Sequence, residues 1–264
     1  MIVSMRGDRI LLVRQVDHQE QCALMADAWG TAEFARPEPF APLREATSLH
    51  DEGWRSWEQR PEVSDQGLPV DFPDLDRKTH IALYTAGIET VCARGDRAGL
   101  IASLHGRGLY EKRLGLDGPA PPREERPIHE REFIAQELSR QQRLSARIGL
   151  EDPLAPWAWS SYRLLQAWDA LSLFLLWAGL PRGAEAVLPR VPRHQDDDAG
   201  VPIRLIPAGP DTGALDPYPF GDSEVELPVA ARWIENRCYS GGDDLAATLA
   251  GTPWTIVRVG VTRR

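Results

Sequence analysis

The chain has 264 residues, 42% hydrophobic and 26% charged, enough to bury a substantial core and too apolar to stay disordered. A net charge of −9 and a pI near 5.2 argue against a polyanionic partner such as DNA, which needs concentrated Lys and Arg. The cysteines, Cys22, Cys92 and Cys238, are widely spaced and suit neither a disulfide framework nor a CxxC zinc pattern, so a reducing cytoplasm is the expected compartment.

The first fifteen residues read as a hairpin, MIVSM and RILLVRQ joined by RGD, without the basic-then-apolar layout of a secretory leader. Asp17, with Glu20 three residues later, predicts the N-cap of a helix that runs to Trp29 and stops at Gly30. Pro42 sits in the first turn of a second helix, 41–51. Residues 59–78 are rich in Pro and Asp and read as a loop. Thr79 is the expected cap of a helix over 80–94, and Asp96 of one ending near Gly106. A proline-rich connection leads to a long polar helix, 130–148, and then to the most apolar one, 157–178. The unbroken apolar run there, LSLFLLWAGL, is about ten residues, half the ~20 that a membrane span needs. Beyond a charged linker, PIRLIP, EVELPV and WTIVRVGV alternate as strands do, with a short helix at 243–250. The expected architecture is mainly α: a hairpin at 1–15, a helical domain at 16–180 and a small β-rich part at 201–264 packed on it.

Four of the six histidines fall on apolar stripes. His18 is followed at helical spacing by Cys22, Met25 and Trp29; His50 shares a face with Leu43, Ala46 and Thr47. His80 lies with Leu83, Tyr84, Gly87 and Val91, and His105 with Ala98, Ile101 and Leu109. Asp169 stands in the stripe of Tyr162, Leu165, Leu173 and Leu176, where an unpaired carboxylate is costly. A lone inward histidine is most often structural, bonded to a carbonyl, and a lone aspartate pairs with an arginine. Four histidines and two carboxylates, counting Asp51 beside His50, instead suggest a metal centre, with too many ligands for one four-coordinate zinc.

The order His18, His50-Asp51, His80, His105, Asp169 resembles the HD-domain superfamily in its dinuclear, six-ligand form, and this resemblance implies an HD-domain-like helical bundle. It also implies that His18, His50, Asp51 and Asp169 hold one divalent ion, Fe or Mn, while Asp51 bridges to a second held by His80 and His105. More narrowly, AWG, SLHDEGWRSWE, SLHGRGLY and LLQAWDALSLFL together look like the bacterial family called domain of unknown function 3891, over nearly the whole chain. The superfamily resemblance carries two activities: phosphohydrolysis of a small phosphoester or nucleotide, in which Asp51 and Arg107 are catalytic, and oxygenation of a small polar substrate by a mixed-valent iron pair. A third reading is a non-catalytic, metal-stabilised binding protein. One departure counts against hydrolysis: Trp54 stands where many superfamily members carry the lysine of HDxGK. Arg55, Arg107, Lys112 or Arg113 would then meet a phosphate. Trp54, Trp57 and Tyr110 would form an aromatic wall, and Glu58 and Gln166 would orient imidazoles. The expected partner is a small-molecule substrate, with neither nucleic acid nor membrane involved.

Overall fold

The structure, a computed structural model, describes residues 1–178, 183–209 and 211–264. Strands β1 (Ile2–Arg6) and β2 (Arg9–Val13) form the expected hairpin, with Gly7 at a φ of 68° in its turn. Helix α1 (Gln15–Ala28) starts two residues before the expected cap, because Asp17 pairs with the Arg14 guanidinium at 2.6 and 2.9 Å instead of capping. Helix α2 (Ala41–Leu49) ends with His50 as its C-cap, and residues 52–59 continue as two short 3₁₀ turns. Helix α3 (Arg77–Cys92) is capped by Asp76, which accepts from the Lys78 and Thr79 amides, three residues before the cap read from sequence. Helix α4 (Asp96–Tyr110) runs a full turn past Gly106. Helices α5 (Ile128–Arg147) and α6 (Pro156–Leu173) follow, and α6 passes into a π-helical turn, Phe174–Ala178. Residues 179 and 180, the last of the expected helical domain, lie outside the described residues.

The C-terminal third holds β3 (Ala186–Val191), β4 (Val201–Gly209), β5 (Thr212–Asp216), β6 (Glu224–Glu235), α7 (Gly242–Gly251) and β7 (Thr255–Arg263). The expectation of a mainly α, HD-like bundle with a small β-rich subdomain is overturned here. Helix makes up 47% of the chain and strand 21%, and a curled, mixed sheet of seven strands forms a half-barrel. Its order is β1-β2-β6-β7-β5-β4-β3, antiparallel throughout except where β5 meets β7. The hairpin is one edge of this sheet: β2 pairs with β6 from Arg9 opposite Glu235 to Val13 opposite Ala231. The reason is burial. Strand alternation shows that a segment has an apolar face, but not what covers it. Here helices and sheet cover each other, and one core joins Trp29 and Trp168 to Ile203, Leu205, Phe220, Leu227 and Val261. Strands β3 and β5 escape the sequence reading because one contains Pro189 and the other is short and begins Thr-Gly.

Glycines set how closely the helices approach. A Cβ on Gly53 would lie 1.9 Å from the Leu83 carbonyl oxygen on α3, and Gly87 faces it from the same helix. A Cβ on Gly108 would lie 2.1 Å from the Tyr162 hydroxyl on α6. Gly53→Ala must push backbone against backbone, and a loss of about 1–3 kcal/mol is expected. Gly251→Ala, where nothing lies within 4 Å, is expected to change stability little. Urea unfolding midpoints of the two variants against wild type check this.

Candidate metal centre

The chain brings four of the six expected ligands together in a buried cluster drawn from α1, the α2 terminus and α6. His18 Nε2 lies 3.1 Å from Asp169 Oδ1 and 3.8 Å from Asp51 Oδ2. His50 Nε2 lies 3.4 Å from Asp51 Oδ2 and 3.9 Å from Asp169 Oδ1, and it has no hydrogen-bond partner. His105 joins from α4: its ligand atom, that of His50 and that of Asp51 lie within 4.8 Å of one another. All five residues are at most 5% exposed. His80 stands one layer out, its ring 4.7 Å from that of Tyr84 and 5.6 Å from that of Trp54, outside the groups whose donor atoms converge within 4.8 Å.

All four imidazoles are anchored through Nδ1. That of His50 lies 2.8 Å from the Thr47 carbonyl, that of His80 2.5 Å from the Tyr110 hydroxyl, that of His18 2.7 Å from Ser172 Oγ, and that of His105 2.6 Å from the Gln166 amide. For His18 the tautomer follows from the network. Gln21 donates its amide N–H to the Leu227 carbonyl on β6, so its Oε1 faces Ser172 and takes the Ser172 proton at 2.6 Å. Ser172 Oγ is then left to accept from His18 Nδ1–H. At His105, the Gln166 Oε1 is buried and unpartnered. As placed, the Gln166 Nε2 faces Nδ1; flipping the amide satisfies the orphaned oxygen, which then accepts from Nδ1–H and leaves the His105 Nε2 lone pair for a cation.

The carboxylates are held as firmly. Tyr84 donates to Asp51 Oδ1 at 2.8 Å, and the Asp51 amide donates to Gln19 Oε1 at 2.9 Å, tying the His-Asp turn to α1. Burial, reinforced by the Asp51 and Asp169 charges, holds the Tyr84 phenol well above its ordinary pKa, so it remains a donor. Burial opposes ionisation of Asp169, but the His18 contact and the positive charge of its neighbours outweigh it and hold the carboxyl below its usual range. Burial likewise disfavours a charged His18, yet Cys22 and Asp169 overcome it and raise His18 well above the ordinary value. Without a cation, a proton on His18 is therefore favoured and offsets part of the carboxylate charge. Burial and His50 push His105 down to about 3, leaving it a neutral ligand.

The other expected site residues go elsewhere. Arg107 is paired with Glu111 at 2.8 Å and with Gln141, inside a buried network with Ser103 and Glu137 between α4 and α5. Arg55 is exposed on Glu52, and Trp57 donates to Glu62. Glu58 accepts from the Gln15 amide at 2.6 Å and from the chain's N-terminal amine at 3.2 Å. Trp54 and Tyr110 pack against His80. The arginine that does reach the cluster is Arg113, 3.9 Å from Asp169 Oδ2, at a small opening also lined by Gln166 and Leu188. It is carried by Lys112, Arg113 and Leu114, three consecutive residues with φ near +50°. Cys22 is a possible ligand that the sequence reading assigned only to packing: its Sγ is 3.8 Å from His18, and its place one turn after His18 was the available signal.

The family described as "Protein of unknown function (DUF3891)" matches residues 1–236, and the chain belongs to that family. No curated protein and no solved structure matches the chain. The likeness to the HD-domain superfamily gains no support from these comparisons. No helix among the described residues is long and apolar enough to cross a membrane.

Burial, aided by the charge of Arg77, pushes His80 down to about 4. A histidine whose folded pKa is depressed contributes stability that is complete above about 6.5 and is lost as pH falls toward about 4. In chelator-treated protein, His80→Phe is expected to flatten the stability profile across that window by up to about 1.4 kcal/mol per pH unit. Urea midpoints measured at a series of pH values read the slope directly.

Proposed function

We propose that the chain is a metal-dependent phosphohydrolase, with His18, His50, Asp51 and Asp169 as the primary ligands of a divalent ion and His105 and His80 as the ligands that extend the site to a second. The observation that carries this is the common anchoring of four imidazoles through Nδ1, which turns each Nε2 away from its anchor, together with the orphaned Nε2 of the buried His50. A structural histidine spends both nitrogens on the protein; His50 holds its Nε2 in reserve, and His18 spends its Nε2 on Asp169, itself a proposed ligand. The mixture of imidazole and carboxylate suits Fe or Mn. The ligand order, which resembles that of the HD-domain superfamily, agrees with this reading.

A divalent ion held there would supply Lewis-acid charge and lower the pKa of water. The chain's own part is orientation and exclusion. Tyr84 and Gln19 fix Asp51, and the Thr47 carbonyl fixes His50. The Ser172–Gln21 relay fixes His18. Arg113, 3.9 Å from Asp169 Oδ2, would present its guanidinium to an anionic group bound beside Asp169. It takes the phosphate-facing role that the lysine of HDxGK has elsewhere.

A second reading, oxygenation by a mixed-valent iron pair, is favoured by the aromatic surroundings of His80: Trp54, Tyr84 and Tyr110.

Elemental analysis of anaerobically purified protein is expected to find two ions per chain, about one in His80→Ala and none in Asp169→Ala. A metal-free wild type of normal stability would end the metal reading. Ser172→Ala, which breaks the relay to His18, is expected to weaken metal affinity by roughly 10–100-fold, measured by competition with a chelator. With Mn²⁺ and a generic phosphomonoester, Arg113→Gln is expected to lower kcat/KM by roughly 10–100-fold. A half-reduced diiron signal in electron paramagnetic resonance, with no phosphoester turnover, would favour the oxygenase instead.

A further inference from the structure

A cavity of about 250 Å³, none of whose lining residues is a proposed metal ligand, lies between the N-terminal hairpin, the second 3₁₀ turn, β6, α7 and Trp254 just before β7. Leu12 and Leu249 give it an apolar floor, while Arg14, Arg232, Glu58 and Trp254 supply its chemistry. Two of its polar atoms are buried without a partner: Nε of Arg232 and Oε2 of Glu58. The Glu58 side chain is 1% exposed. Its other oxygen is used by the Gln15 amide and the N-terminal amine, so Oε2 is an acceptor held rigidly in place. Arg232 lies over the Trp254 ring at 4.2 Å, and Arg14 over the same ring at 4.4 Å. The two guanidiniums differ in one respect. Arg14 is neutralised by Asp17 at 2.6 Å, whereas Arg232, among the described residues, has the indole face and a second cation nearby and no carboxylate partner. Arg232 is half-buried with its Nε inaccessible and no anion beside it, and Glu58 Oε2 is a buried acceptor without a donor; each leaves a polar atom unsatisfied. Both costs fall on one cavity.

We propose that this cavity binds a small organic acid that carries its own hydrogen-bond donor, an α-amino acid or a 2-hydroxy acid. Its carboxylate is taken by Arg232, its ammonium or hydroxyl by Glu58 Oε2, and its short side chain by Leu12, Leu249 and the Trp254 ring. The stacked indole keeps the Arg232 fork planar and oriented, which favours a carboxylate over a spherical anion. Glu58 lies in the turn that follows the His50-Asp51 segment, but none of the cavity's polar groups is a metal ligand, so the two sites can be tested separately.

Isothermal titration calorimetry with the standard α-amino acids, with lactate and malate, and with propionate as a carboxylate lacking the donor tests this. At least one amino or hydroxy acid is expected to bind the wild type saturably and more tightly than propionate. Arg232→Gln is expected to weaken that binding tenfold or more, with an unchanged circular dichroism spectrum. Glu58→Gln is expected to narrow the preference over propionate, and His50→Ala to leave binding intact. Whether the preferred probe is an amino or a hydroxy acid identifies the donor. The proposal is overturned if no probe binds, if Arg232→Gln binds as wild type does, or if His50→Ala abolishes binding. Should Glu58→Gln fail to fold, Arg232→Lys provides the second reading: it keeps the charge and loses the fork, and is expected to weaken binding.

Discussion

Two carboxylates and three histidines, all nearly inaccessible to water, sit in the middle of an apolar core, and the surrounding structure is arranged to make that tolerable. Buried polar groups must be hydrogen-bonded and buried charges balanced. Here each demand is met from a different part of the chain. Tyr84 comes from α3, Gln19 and Gln21 from α1, Gln166 and Ser172 from α6. A proton on His18 offsets part of the carboxylate charge, and a cation bound as proposed would compete with that proton.

The sheet takes part in this. The Leu227 carbonyl on β6 fixes the Gln21 amide, Gln21 fixes the Ser172 hydroxyl, and Ser172 fixes the His18 tautomer. A backbone group in the half-barrel thereby orients a ligand in the helical layer. The close contacts of Gly53 with α3 and of Gly108 with Tyr162 draw α3, α4 and α6 tightly around the same point. The left-handed run at Lys112–Leu114 brings Arg113 to an edge of the cluster, 3.9 Å from Asp169. Strain of this kind persists only where the surroundings over-determine it.

Much of the site was legible before the fold. His18, His50, His105 and Asp169 each fell on an apolar stripe, and a polar residue on such a stripe must point inward. His80 fell on a stripe too, but its ring packs on Tyr84 and Tyr110, and the Tyr84 ring also contacts that of His105. Arg107 and Arg113 could not be ranked from sequence. Each follows the histidines in a helix or its terminus, and only the packing of α5 commits Arg107 to Gln141 and Glu111. The fold was less legible. The helices were found to within a few residues, since their periodicity is local, but the sheet was taken for an appendage. The pairing of β2 with β6 joins residues more than two hundred positions apart, and no local pattern records it.

The sequence by itself determined which side chains are inward, in what order the ligand types occur, and that helices and strands each have an apolar face to bury. These follow from spacing along the chain. Tertiary structure alone decided that strands from both ends close into one half-barrel and that four ligands converge while a fifth adjoins them and a sixth stands apart. It also decided which nitrogen of each ring is anchored to the protein. Those outcomes depend on partners distant in sequence, and burial forces each polar group to find a partner without specifying which one.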